Sequence, residues 1–187
     1  MRRRLLDAAL EVFAEHGYAN ARLDHVAAAA GLTKGAFYSN FASKDEIFFA
    51  MLDEQVLTRV AAVRTALTSA PVGTGGPVTA HHVGRLLTKT ITEQREWQLV
   101  FLDFWLRAVR DDDVRALFLA HRRELRAAIA DAVVQVVGEG EAPSGFSIDD
   151  VVTVVLALSN GLAVEQYIDA DFVSPDLFGR VLAQLST

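Results

Sequence analysis

The chain has 187 residues, 51% of them hydrophobic and 9% aromatic, with a net charge of −6 and no cysteine. That is enough apolar material for a sizeable core in one or two domains, which excludes a disordered chain. The lack of cysteine excludes disulfides, thiolate catalysis and zinc fingers, and fits a reducing cytoplasm.

The charge is unevenly spread. Residues 1–50 hold six Lys/Arg and six Asp/Glu, whereas residues 51–187 hold twelve against eighteen and carry all of the net charge. Nucleic acid, if bound, is met at the N-terminal end, through a few placed and salt-dependent contacts. The longest apolar run, Val151 to Leu158, is interrupted by Thr153 and is too short to span a membrane, so no membrane partner is expected. Arg2-Arg3-Arg4 leads into a stretch whose charges recur every turn, unlike a secretory leader.

Residues 2–16 are predicted to form a helix with Leu6, Ala9, Leu10 and Phe13 on one stripe, stopped by Gly17. Arg2 to Arg4 could reach a phosphate or the minor groove, or could simply be the solvated start of that helix. Tyr18 to Ala21 is a loop. Leu23 to Lys44 then reads as two short helices joined by a tight turn. Gly31 ends the first, because it takes the left-handed conformation without a Cβ penalty. Thr33 is an N-cap for the second. Val26, Ala27, Ala30, Leu32, Phe37 and Phe41 can close a small core, and Phe37 and Phe41 share a face at a spacing of one turn. Outside remain Thr33, Lys34, Gly35, Tyr38, Ser39 and Asn40, a slim polar face whose only charge is positive. Such a face fits a DNA major groove. Ser43-Lys44-Asp45-Glu46 reads as a capping box opening a long helix that runs to about Ala70.

At these residues a resemblance becomes specific. Gly31 together with TKGAFYSNFASKDEIF (Thr33 to Phe48) resembles the helix-turn-helix of the TetR (tetracycline-repressor-like) family of bacterial transcription regulators, with Gly31, Thr33, Gly35, Phe37, Tyr38, Phe41 and Lys44 on the pattern. The match is close over the head and rests on helix layout elsewhere. Read within it, Lys34, Tyr38 and Lys44 would hold phosphates, Gly35 would permit close backbone approach, and Ala36, Ser39 and Asn40 would meet base edges. The sequence departs from the family at Ala21 and Arg22, where Thr or Ser is usual, and at Asn40, where His is common. Asn20 is expected to take over the capping role and Arg22 the phosphate.

Further on, Ser69–Val78 is a Pro/Gly-rich loop, and helical patterning resumes over 78–95, 97–110 and 112–137. Gly138–Gly145 is a second loop; Ser147 caps a helix running to about Asp169 and Ser174-Pro175 caps a last one. No strand pattern intervenes. The expectation is an all-α chain of about nine helices, with a three-helix DNA-binding head at residues 1–46 and a helical-bundle domain for ligand and dimerisation at 47–187. The last two helices carry more apolar surface than one core face needs. Val155, Leu158, Gly161, Leu162, Phe178, Val181, Leu182 and Leu185 are therefore candidates for a dimer interface, and ALSNGLAVEQYIDA resembles the family's dimerisation helix. A two-fold pair would match a palindromic operator.

Trp97, Phe101, Phe104 and Trp105 form one aromatic wall, and Asn160 interrupts an apolar helix. These residues suit a ligand pocket, while the plainer reading is a packed core with Asn160 satisfied by backbone. Asp103 and Arg107 have the spacing of a surface ion pair. No catalytic arrangement is present: His81 and His82 diverge on a helix, Asp111 to Asp113 sit where a helix begins, and no nucleophile elbow occurs. The expected protein is a homodimeric regulator, a repressor released from its operator by an unknown small-molecule effector, without cofactor or metal. A DNA-binding regulator lacking an inducer and a small-molecule-binding protein with a vestigial head are the alternatives.

Overall fold

The computed structural model describes residues 1–69, 77–137, 145–171 and 173–185. The two predicted loops therefore lie almost wholly outside the described residues. The helices are α1 (Arg2–His16), α2 (Leu23–Ala29), α3 (Lys34–Tyr38), α4 (Lys44–Ser69), α5 (Pro77–Thr92), α6 (Arg95–Arg110), α7 (Asp112–Val137), α8 (Ile148–Ile168) and α9 (Leu177–Leu185), and no strand occurs among the described residues. They form two compact units, Met1–Val56 with Arg95–Arg122, and Leu57–Gln94 with Arg123–Thr187. This differs from a boundary after residue 46. The first turns of α4 and all of α6 belong with the head, because the short N-terminal helices alone bury too little surface to be stable.

In the first unit, α1 packs on α2 and α6, and α2 on α3. Leu5, Phe13, Val26, Phe37, Phe41 and Phe48 share one core with Trp97, Phe101 and Phe104 of α6. Phe48 and Phe104 stack at 3.7 Å with their planes 9° apart, and Trp97 stacks on the same Phe48 ring at 5.8 Å. Each such ring stabilises the head by about 1.5–3 kcal/mol through burial. The aromatic wall is thus core of the first unit. Trp105 is the exception, at 46% exposed.

In the second unit, Ala80, Val83, Leu87, Val151, Val155, Phe178 and Leu182 form the core. Helices α5 and α9 cross closely. A Cβ added at Gly84 would lie 2.4 Å from the Gly179 Cα, and one at Gly179 would lie 2.6 Å from the His81 carbonyl oxygen, so the two backbones touch. Ser147 caps α8 as expected: its Oγ accepts from Asp150 N at 3.1 Å while its own N donates to Asp150 Oδ2 at 3.0 Å. By length and composition alone α8 is apolar enough to cross a membrane. Counting uninterrupted apolar residues understates it, since Thr153, Ser159 and Asn160 dilute the run only weakly. Here α8 supplies core, through Val151, Val152, Val155, Leu156 and Ala163.

Part of the proposed dimer face is spent on this packing. Phe178 is fully buried, and Val155 and Leu182 are buried, within their own unit, because α5 and the inner face of α8 already cover them. Leu158, Leu162, Val181 and Leu185 are half-buried, and Gly161 is exposed with nothing within 4 Å of an added Cβ. Gly84→Ala should lower stability by about 1–3 kcal/mol, the cost of overpacking where backbone cannot yield. Urea unfolding measures it, and an unchanged midpoint would contradict the close crossing.

Candidate nucleic-acid interface and ligand cavity

The turn before α3 is built from both sides. Gly31 has φ 63°, the left-handed value that the turn requires. Thr33 Oγ1 accepts from Ala36 N at 3.2 Å and caps α3 as predicted. From α1, Arg4 donates to the Ala30 carbonyl at 2.6 Å, closing the end of α2. Phe37 is fully buried beneath α3, which leaves Lys34, Gly35, Tyr38 and Ser39 exposed on the opposite face, with Ala36 and Asn40 half-buried. A Cβ at Gly35 would meet only Thr33 Oγ1, at 3.9 Å. Nothing inside the protein demands glycine there.

The expected base readers are engaged locally. Ser39 Oγ and Asn40 Nδ2 both donate to the Ala36 carbonyl, at 2.9 and 2.8 Å, and so close the C-terminal end of α3. Meeting a base edge would mean exchanging these bonds. The cations are engaged as well. Lys34 pairs with Asp24 at 3.2 Å and Arg22 with the same carboxylate at 3.5 Å. Hydrogen bonding and charge from Lys34, then from Arg22, hold the exposed Asp24 carboxyl below the usual carboxylate range. Of the leading arginines, Arg3 pairs with Asp7 and Glu54, and Arg2 lies over the Phe41 ring, so this stretch is tied to the head rather than simply solvated.

The second unit holds an apolar cavity of about 90 Å³. Residues of α4, α5, α7, α8 and α9 line it, among them Arg59, Val63, Leu87, Ile129, Val155 and Ser159. Trp97, Phe101, Phe104 and Trp105 belong to the other unit and do not line it; Asn160 does not either, its Nδ2 donating to the Leu156 carbonyl at 3.0 Å. The helical signal for the cavity was elsewhere. Leu125, Ala128, Ile129, Ala132 and Val133 recur on one face of α7 and all contribute.

The model for bacterial regulatory proteins of the tetR family matches residues 5–51, and that for the C-terminal region of BetI-type transcriptional repressors matches residues 80–185. The chain belongs to the tetR family. The HTH-type transcriptional activator FasR of Mycolicibacterium smegmatis is 44% identical over 66 residues, which is 35% of this chain and 30% of that protein. The chain thus matches less than a third of the length of that relative. Among solved structures, the fatty acid degradation regulator FadR of Bacillus halodurans superimposes with TM-score 0.78 at 16% identity, over 99% of this chain and 93% of that one. FadR of Bacillus subtilis, in complex with stearoyl-CoA, gives TM-score 0.75 at 14% identity over 100% and 97%. At such identities the likeness is one of fold.

Within this tetR-family head, two expectations need correction. Lys44 does not present its ammonium outward. It donates to the carbonyls of Tyr18, Ala19 and Ala21 at 2.7, 2.9 and 3.1 Å, which uses all three of its donors inside the protein. Burial, then the nearby Arg107 charge, lowers its pKa. Asn20 does not cap α2 either: its Nδ2 reaches the His16 carbonyl at 3.4 Å, and α2 starts after Arg22 without a side-chain cap. The Ser43 capping box forms with a shift of one residue. Ser43 Oγ accepts from Glu46 N at 3.0 Å, but Glu46 turns back to Ala42 N.

A polar network next to Lys44 escaped the sequence altogether. Asp45 accepts from Arg107 through both oxygens, at 2.6 and 3.3 Å, and from the Tyr18 hydroxyl. Asp103, expected to pair with Arg107, instead accepts from Tyr18 N at 2.9 Å. Burial and then Asp45 push the Tyr18 phenol well above its ordinary range. Burial opposes ionisation of Asp45, yet bonds from Arg107 and Tyr18 outweigh it and hold its carboxyl low. A depressed carboxyl contributes stability above its unfolded pKa and loses it as pH falls through the folded one. Asp45→Asn should therefore cost about 1–2 kcal/mol at neutral pH, after discount for solvent screening, and flatten the acid limb of stability against pH. Thermal unfolding across an acid series reads both, and parallel curves would exclude this origin. At the surface, Asp24→Asn should raise DNA affinity several-fold by releasing Lys34 and Arg22, as read by fluorescence anisotropy on a random duplex.

Proposed function

We propose that this chain is a cytoplasmic, homodimeric, DNA-binding transcriptional repressor that places α3 in the major groove of a palindromic operator and is released by a small molecule bound in the aliphatic cavity. The observation that carries the reading is the asymmetry of α3: Phe37 is sunk into the core while the opposite face is exposed, small and polar, with Lys34 as its only charge. Family membership supports DNA as the partner. The cavity supports an effector, and the stearoyl-CoA complex of Bacillus subtilis FadR gives a precedent on the same fold. The half-buried apolar residues and exposed Gly161 on α8 and α9 support a second copy of the chain.

Helix α4 offers the coupling element. Its first turn carries Lys44 and Asp45, anchored to the head, while Arg59, Val60 and Val63 line the cavity. An effector that binds one setting of this helix better than another shifts the population of DNA-competent molecules by that difference in affinity and no more.

The test is selection of DNA from a random pool by the purified protein, followed by anisotropy on the selected sequence. Tyr38→Phe, which removes one charge-assisted hydrogen bond to phosphate, should weaken binding several-fold on every sequence alike. Substitutions of Ser39 or Asn40 should change which bases are preferred. The reverse pattern would overturn the assignment of roles. An empty selection would favour a small-molecule-binding protein with an unused head.

A further inference from the structure

The lining of the cavity is chemically one-sided. Among the described residues it is made of Val, Ala, Leu and Ile, with Arg59 as the only charge and Ser159 as the only other polar side chain. No aromatic ring and no carboxylate is among them. A cationic ligand would therefore find neither a ring face nor a counter-ion, and would face Arg59 instead. A polyhydroxylated ligand fares no better, because Ser159 spends its proton on the Val155 carbonyl at 2.7 Å and can only accept. An aliphatic chain meets only favourable contacts.

Size and charge narrow the class further. The volume of about 90 Å³ is below the roughly 150 Å³ of an engineered cavity that takes the six carbons of benzene, so a chain of about three to four carbons is what it holds. Arg59 is half-buried, so its charge keeps part of its hydration, and a guanidinium has five donors with which to hold a carboxylate beside its other contacts. We propose that this cavity binds a short aliphatic monocarboxylate, its chain among Val63, Ile129 and Val155 and its carboxylate on Arg59. This rests on the reading of the cavity as an effector site and names what fills it.

Calorimetric titration of the full chain with butanoate, butan-1-ol, butylammonium, choline and palmitate tests the idea. Butanoate should bind saturably, at least tenfold tighter than the alcohol, with no binding of butylammonium or choline and weaker binding of palmitate. Arg59→Gln should reduce butanoate affinity at least tenfold and leave the alcohol unchanged, and Arg59→Lys should restore part of the difference. Val155→Phe should abolish binding of both; if it unfolds, Ala132→Leu serves instead, with the melting temperature reporting a folded chain. Equal binding of acid and alcohol, preference for either cation or for palmitate, or an Arg59→Gln variant that still prefers the acid would each overturn the proposal. Failure to bind butanoate in a protein that still selects DNA would refute the ligand class and leave the regulator standing. Butanoate binding with the stated discrimination but no selected DNA would do the opposite.

Discussion

The arrangement of the N-terminal head depends on one carboxylate. Asp45, at the start of α4, is held by two nitrogens of Arg107 from α6 and by the hydroxyl of Tyr18 from the loop after α1. Taking a charge partly out of water is costly, and the cost is met only if every partner is in place. The geometry is accordingly narrow: loop, α4 and α6 must meet at one point. Lys44 repeats the logic one residue earlier, with its three donors on three carbonyls of the same loop. A loop that would otherwise expose unpaired carbonyls before an uncapped α2 is thereby satisfied from a neighbouring helix.

This explains why α6 is a helix of the head. Its aromatic side chains pack on Phe48 and its polar ones complete the Asp45 cluster, so hydrophobic and electrostatic contacts both fix it against the same helix. The cavity unit shows the contrary chemistry. Its lining is mostly aliphatic, and where α5 crosses α9 the two facing residues, Gly84 and Gly179, carry no side chains. One unit is specified by shape and directed polar bonds, the other by close backbone approach around an apolar space.

The parts of this structure legible in the sequence were those set by local rules. Thr33 and Ser147 as caps, Gly31 at its turn and Phe37 and Phe41 on the inner face follow from spacing within a few residues. What was not legible depends on residues far apart in the chain. An arginine four residues after an aspartate looks like a pair for Asp103, but Arg107 finds a better carboxylate 62 positions away. The same limit applies to the aromatic wall: large aromatics mark burial, and burial alone does not say whether the far side is empty. Five modest residues on α7 border the empty space instead. For the outer faces of α8 and α9, apolar excess was visible, but its division between the chain's own core and a partner was not.

Asp24 has one further consequence. Because Lys34 and Arg22 share it in the free protein, a duplex that takes them must draw them from a carboxylate to a phosphate. The carboxylate left behind then stands beside the polyanion, and its repulsion offsets part of what the two cations contribute. Counting basic side chains on this surface therefore overstates its electrostatic pull on a polyanion, because the carboxylate among them subtracts from it.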